Sequence, residues 1–156
     1  MKTGVIYGSH TGNTREVAEA IAAVLRAHGP VEFLSIEEAQ GVPTGLDLLL
    51  IGAPTEAHGI PKDMVAFLDR LPADAVLGVA AAAFDTRVAW PRFLSGSAAA
   101  GIEGRLRGAG ARIVCPGESF IVSTAPELKP GELERASTWA TRLVEIVHPA
   151  ATSLPV

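Results

Sequence analysis

A hydroxyl-rich loop near the start of the chain carries the residues best suited to binding chemistry. Ser9, Thr11 and Thr14 lie with Gly12 between an apolar stretch and a helix-like stretch. Free backbone N–H groups at a helix start attract an anion, and neighbouring hydroxyls complete its hydrogen bonds. No lysine follows the glycine as in a Walker loop, and the glycine spacing does not match a dinucleotide fingerprint. The loop predicts a site for a terminal monophosphate; the alternative is that one hydroxyl caps the helix.

Other site chemistries find little support in the sequence. A single cysteine, Cys115, excludes a disulfide framework and a cysteine-built metal site, and we expect it to be buried and inert. No group of His, Asp and Glu has the spacing of metal ligands, and no Ser/His/Asp order is typical of a nucleophilic triad. We therefore predict no metal site and no catalytic residue.

Charge and hydropathy limit the partners. The 17 acidic and 13 basic residues give a net charge of −4, without the basic stripe that nucleic acid requires. Mean hydropathy is +0.30, but the apolar run over residues 75–84 is half the length of a membrane span of about 20 residues. The first residues carry no charged-then-apolar leader, so we expect a cytoplasmic protein without a membrane span.

Strand-like and helix-like segments alternate along the 156 residues. Apolar runs predict strands at residues 5–7, 31–36, 46–53, 76–84 and, with an interruption, 113–122. Helical periodicity predicts helices at residues 13–28, 61–71, 96–108 and 131–147, with Trp139 in the core. This alternation predicts a three-layer α/β sandwich with a five-stranded parallel sheet. Ligands bind beyond the carboxyl ends of such strands, so the loops after strands one, three and four are the expected site.

The loop Ser9-His10-Thr11-Gly12-Asn13-Thr14 resembles the phosphate-loop signature of the flavodoxin family, S/T-x-T-G-x-T. Length and element order also resemble short-chain flavodoxins over about residues 2–148. The resemblance implies sheet order 2-1-3-4-5 and a noncovalently bound FMN. It assigns the FMN phosphate to Ser9, Thr11, Gly12, Asn13 and Thr14, with His10 contributing at least its backbone N–H. We expect one domain over residues 1–148 and a frayed tail over residues 149–156.

The resemblance implies that the loop after the third strand lines the flavin ring. The residues expected there are Pro54, Thr55, Glu56, Ala57, His58 and Gly59. Flavodoxins often place an aromatic residue in this loop; here His58 either contacts the ring or is an exposed loop histidine. Gly59 either supplies a peptide that turns over on flavin reduction, as in the family, or belongs to an ordinary turn.

The resemblance also implies that the loop after the fourth strand meets the pyrimidine end of the flavin. The residues expected there are Phe84, Asp85, Thr86, Arg87 and Trp90. Trp90 is the strongest candidate for stacking on the outer face of the ring, although it could instead anchor the following helix. Arg87 makes this loop basic, and a surface pair between Asp85 and Arg87 is possible.

The function implied by the resemblance is that of an FMN-binding, low-potential electron carrier between a reductase and an acceptor protein. With few carboxylates near the ring, chiefly Glu56 and Asp85, we expect a potential less depressed than that of a strongly acidic flavodoxin. Two alternatives stay open: an FMN oxidoreductase of the same fold acting on a quinone or protoporphyrinogen, and a module without FMN that binds a partner protein. The sequence does not indicate an oligomeric state.

Overall fold

A parallel β-sheet forms the middle layer of the computed structural model, which describes residues 1–149. The strands are β1 (Thr3–Tyr7), β2 (Val31–Ser35), β3 (Leu48–Pro54), β4 (Ala80–Val88), β5 (Arg112–Ile113) and β6 (Glu118–Val122). The order is β2-β1-β3-β4, with β5 and β6 both pairing with β4. The predicted fold class and sheet order are confirmed. Most of the tail expected at residues 149–156 lies outside the described residues.

The helices cover both faces of the sheet. They are α1 (Asn13–Arg26), α2 (Lys62–Asp69), α3 (Arg92–Ser95), α4 (Ala98–Gly108) and α5 (Glu132–Val147). The apolar side of α1 and α5 packs on one face, and that of α2 and α4 packs on the other. Within residues 1–149, no helix is long and apolar enough to cross a membrane. The short helix α3 was not expected from the sequence.

The strand β3 explains why the sheet is buried on both faces. Its side chains alternate between the two cores, so Leu48 and Leu50 lie under α1 and α5, while Leu49 and Ile51 lie under α2 and α4. Trp139, which is 4% exposed, completes the first core. Its position there confirms the prediction from α5.

The strand β4 begins and ends later than its apolar pattern predicted. A turn at Gly78, whose φ is +72°, delays its start to Ala80. At its other end, Asp85 and Thr86 continue the strand because they pair with β3 on one side and β6 on the other. Residues expected in a loop are therefore strand residues, and their side chains alternate between the two faces.

The predicted interruption of the fifth strand is the gap between β5 and β6. Ala80 and Ala81 of β4 pair with β5, and β4 pairs with β6 from Phe84 onward. Cys115, expected to be buried, is only partly buried in this gap. Burial raises the pKa of its thiol, which disfavours the reactive thiolate.

Candidate functional site

The predicted phosphate loop joins β1 to α1 through a left-handed residue. Gly12 precedes the first residue of α1 and has a φ of +91°, which explains the glycine at this position. The Ser9 hydroxyl accepts hydrogen bonds from the N–H of Gly12 at 3.1 Å and of Arg15 at 3.4 Å. Ser9 therefore does stabilise the start of the helix, as the capping alternative proposed.

Two buried side chains tie this loop to distant parts of the chain. The Thr14 hydroxyl lies 2.8 Å from the Thr86 hydroxyl of β4. The Asn13 amide donates to the Thr11 hydroxyl at 3.1 Å and to the Pro126 carbonyl at 2.8 Å. The loop thus contacts both β4 and the segment that follows β6.

The same loop presents unpaired backbone donors. Within residues 1–149, the N–H groups of Thr11, Asn13 and Thr14 have no hydrogen-bond partner. They belong to the loop and first turn of α1, where the helix dipole favours negative charge. This arrangement suits an anion and needs no cationic side chain.

A cavity of about 270 Å³ lies at the carboxyl edge of the sheet, beside this loop. The expected site residues that line it are Thr11, Asn13, Pro54, Thr55, Glu56, Thr86 and Arg87. A larger cleft of about 510 Å³ lies against the start of α5. Its wall includes Glu16, Glu127 and Glu134, whose charges disfavour a phosphate there.

The sequence analysis missed one whole side of the cavity. The residues that line it without having been expected are Val88, Ser95, Val122, Ser123, Thr124 and Pro126. Val88 pairs with Val122 in parallel register, so β4 and β6 end at the same edge. The hydroxyls that follow β6 could have been found by extending the strand-end argument to the fifth strand.

Glu56 and Gly59 close a tight turn after β3. Each N–H of this pair donates to the other residue's carbonyl, at 3.0 Å and 2.8 Å. The left-handed positions are Ala57, with φ +44°, and His58, with φ +69°; Gly59 is not left-handed. Both central positions of a turn of this type require positive φ, so the left-handed conformation falls on Ala57 and His58. Ala57, His58 and Gly59 do not line the cavity.

A close backbone contact fixes the far side of this turn. A Cβ on Gly96, between α3 and α4, would lie 1.9 Å from the His58 carbonyl oxygen. Gly96 also has a φ of +71°. The turn therefore packs directly on the backbone of the segment that follows β4.

The imidazole of His10 bridges two carboxylates. Its Nδ1 contacts Glu56 Oε1, and its Nε2 lies 2.8 Å from Asp63 Oδ2 on α2. Hydrogen bonds to Asp63 and then to Glu56 raise the pKa of His10, against a smaller opposing effect of burial. The charged imidazolium is favoured, and the side chain points away from the loop hydroxyls toward these partners.

The carboxylate of Asp85 links β4 to the residue after β3 and to the start of α4 through its Oδ2, while its Oδ1 has no partner within residues 1–149. It is fully buried and accepts hydrogen bonds from Thr55 at 3.1 Å, Ser97 at 2.7 Å and the Ala99 N–H at 3.0 Å. The possible Asp85–Arg87 surface pair is not among the ion pairs of residues 1–149, because Asp85 is buried and its Oδ2 is engaged by Thr55, Ser97 and Ala99.

The Arg87 guanidinium instead holds the segment after β4. Its Nη1 donates to the Trp90 carbonyl at 2.8 Å and the Ser95 hydroxyl at 3.3 Å. Its Nε is buried and has no partner within residues 1–149. Arg87 is also one of the residues that line the cavity.

The aromatic residues of β4 and of the segment that follows it differ in their exposure. Phe84 is buried against Phe120 and Trp139, and its ring faces the core rather than the cavity. Trp90 is 57% exposed and does not line the cavity. Phe93, on α3, is 85% exposed.

Comparison with known proteins places this site in a familiar fold. A family model described as flavodoxin matches residues 5–136. Oxidised Flavodoxin 1 from Bacillus cereus is 24% identical, with a TM-score of 0.78 over 96% of this chain and 100% of that chain. Flavodoxin 2 from the same organism is 25% identical, with a TM-score of 0.74 over 93% and 99%.

The fold also occurs as part of a larger protein. The flavodiiron protein from Giardia intestinalis is 19% identical and has a TM-score of 0.75, covering 94% of this chain but 36% of that chain. The family model spans most of the chain, from β1 into α5. The chain therefore belongs to the flavodoxin family, whose cofactor is FMN and whose members transfer electrons to redox partner proteins.

Proposed function

We propose that this protein is a low-potential electron carrier that receives electrons from a reductase and passes them to an acceptor protein. One observation carries the proposal. The unpaired N–H groups of the phosphate loop adjoin a cavity whose wall contains hydroxyls, the Asn13 amide, Glu56 and Arg87, and the Thr14–Thr86 contact links the loop to β4. Such a site binds and orients a phosphorylated cofactor.

The donors of the site fit FMN. A terminal phosphate needs several hydrogen-bond donors, and the loop offers the N–H groups of Thr11, Asn13 and Thr14 together with hydroxyls. Arg87, whose buried Nε–H has no partner within residues 1–149, lines the same cavity and would add donor capacity for the ring end of the cofactor.

The assignment of residues follows from this fit. The phosphate is held by the loop of Ser9, His10, Thr11, Gly12, Asn13 and Thr14. Pro54, Thr55, Glu56, Thr86 and Arg87 line the cavity and would hold the ring system. Ser123 and Thr124, after β6, add hydroxyls to the same wall. Trp90, which is exposed on the segment after β4, would cover the flavin from outside the cavity, and Ala57, His58 and Gly59 would border the cofactor.

FMN supplies the oxidation and reduction chemistry when it is bound, and the chain sets its environment. Glu56 is the one carboxylate in the cavity wall, and His10 compensates its charge. The Arg87 guanidinium places a positive charge beside the cavity. Because a positive charge favours an anion nearby, we expect a potential less depressed than in a site lined by unpaired carboxylates.

A potentiometric titration of the purified holoprotein tests the proposal. We expect two separate one-electron waves, and electron delivery to an added acceptor protein. A single two-electron wave, together with steady NAD(P)H-dependent reduction of a quinone without any partner, would instead identify an oxidoreductase. A protein that never binds FMN would be a partner-binding module.

A further inference from the structure

The His10 side chain makes contacts that phosphate binding does not require. Both ring nitrogens are engaged, one with Glu56 of the 56–59 turn and one with Asp63 in the first turn of α2. These three residues belong to three separate segments of the chain. Their side chains are about 40% exposed, so the contacts are open to solvent and to titration.

Only the protonated ring can make both contacts. Imidazolium carries two N–H donors, whereas neutral imidazole carries one donor and one acceptor. A neutral ring would turn a lone pair toward one of the two carboxylates, so that contact would become repulsive. The bridge between the turn and α2 therefore depends on the proton of His10.

The 56–59 turn needs such a restraint. Ala57 and His58 both have positive φ, which L residues keep only where the surrounding structure holds them. Gly96 holds the His58 carbonyl from one side. The His10–Glu56 contact holds the base of the turn from the other side.

We propose that His10 is a positioning residue for the FMN site: its imidazolium fastens the 56–59 turn and the start of α2 to the phosphate loop, and loss of its proton releases the turn. The proposal rests on the FMN site proposed above. The charged groups that face the ring are Glu56 from the turn and Asp63 from α2; its own loop, residues 8–14, has no other charged side chain. A bound phosphate would add negative charge and favour the same protonated state.

The direction of the pH effect follows from the raised pKa of His10. A histidine whose pKa is higher in the folded state than in the unfolded state stabilises the fold. This stabilisation is complete when the pH is below the pKa of the unfolded state, which is about 6.5. The stabilisation is lost as the pH rises through the pKa that His10 has in the folded protein. The turn is therefore held at mildly acidic pH and released at alkaline pH.

The first experiment uses the full-length apoprotein and needs no cofactor. In an NMR titration from pH 5.5 to 9, we expect the His10 imidazole to titrate above about 6.5, the ordinary histidine value. The amide signals of Ala57, His58 and Gly59 should move with the same midpoint. In Asp63→Asn the midpoint should fall, whereas in Glu19→Gln, an exposed carboxylate on α1, it should not change.

The second experiment compares FMN affinity in wild type and His10→Gln at each pH, which cancels the ionisation of the phosphate itself. Because His10→Gln removes two partly exposed ion pairs, we expect this variant to bind FMN about fivefold more weakly than wild type at pH 6. The difference should disappear by pH 9, where His10 of the wild type has lost its proton. The matched control, His28→Gln, changes an exposed histidine at the end of α1 and should have no effect.

The outcomes separate this proposal from the function above. Three results would overturn the positioning role. They are a His10 titration midpoint at or below the ordinary histidine value, amide signals of the turn that do not follow this titration, and a wild-type to His10→Gln affinity ratio that does not change with pH. Failure to bind FMN at all would overturn both proposals. If the protein binds FMN with the expected pH dependence but gives a single two-electron wave, the positioning role of His10 is supported and only the electron-carrier function is overturned.

Discussion

The two ends of the cavity are built in different ways. At the phosphate end, the loop over residues 9–14 is held by its own hydrogen bonds and by the buried side chains Asn13 and Thr14. At the ring end, the turn over residues 56–59 has two strained residues and depends on contacts from His10 and Gly96. The phosphate end therefore combines a local sequence signature with two buried long-range hydrogen bonds, whereas the ring end has no local signature and depends on long-range contacts.

The largest effect is expected from Gly96→Ala. The new Cβ would meet the His58 carbonyl and would also adopt an unfavourable φ. Overpacking and left-handed strain together predict a loss of about 2–4 kcal/mol in the free energy of unfolding, measured by urea denaturation. Gly104→Ala on the exposed side of α4, where nothing lies within 4 Å, is the control and should stabilise the helix slightly. Equal effects at the two positions would mean that the turn does not need the close contact.

The next largest effect concerns the phosphate end. Replacing Thr11 and Thr14 together by Val should weaken FMN binding by about 3 kcal/mol, since each lost hydrogen bond to a charged acceptor costs at least about 1.5 kcal/mol. Riboflavin, which lacks the phosphate, should bind both proteins equally. Thr138→Val on the exposed side of α5 is the control for the loss of a hydroxyl. If wild type binds FMN and riboflavin with the same affinity, the phosphate assignment is wrong.

A smaller effect distinguishes the residues of the turn. Ala57→Gly removes left-handed strain, so the apoprotein should gain about 1 kcal/mol in denaturant unfolding. Gly59→Ala should cost little, because Gly59 is not left-handed and a Cβ there meets nothing within 4 Å. A large loss of unfolding free energy in Gly59→Ala, together with no gain in Ala57→Gly, would show that the turn has a different conformation in solution.

The smallest effect on stability is expected at Trp90. Because its side chain is largely exposed, Trp90→Phe should change the free energy of unfolding by less than about 0.5 kcal/mol. The difference in fluorescence between wild type and this variant isolates Trp90 from Trp139. We expect FMN to quench that difference strongly; an unchanged signal would mean that Trp90 does not cover the flavin.

The sequence was informative where contacts are close along the chain. The apolar runs predict the parallel sheet, and Ser9 to Thr14 predict an anion loop that the free N–H groups support. The pattern failed at β4, because pairing with two neighbours extends the strand through polar Asp85 and Thr86. The role of His10 could not be predicted, since its partners lie 46 and 53 residues away and composition does not indicate which carboxylates meet it.

The gap between β5 and β6 has a consequence for the behaviour of concentrated solutions. An open sheet edge presents a row of backbone groups that can recruit a strand from another molecule. Here Pro116 removes one N–H from that edge, and the Gly117 N–H is already bonded to Glu103 of α4 at 3.0 Å. The remaining strands at this edge have two and five residues, too short and too broken to template a long foreign strand. The interruption that shapes the fifth strand therefore makes this edge of the sheet a poor template for a strand of another molecule.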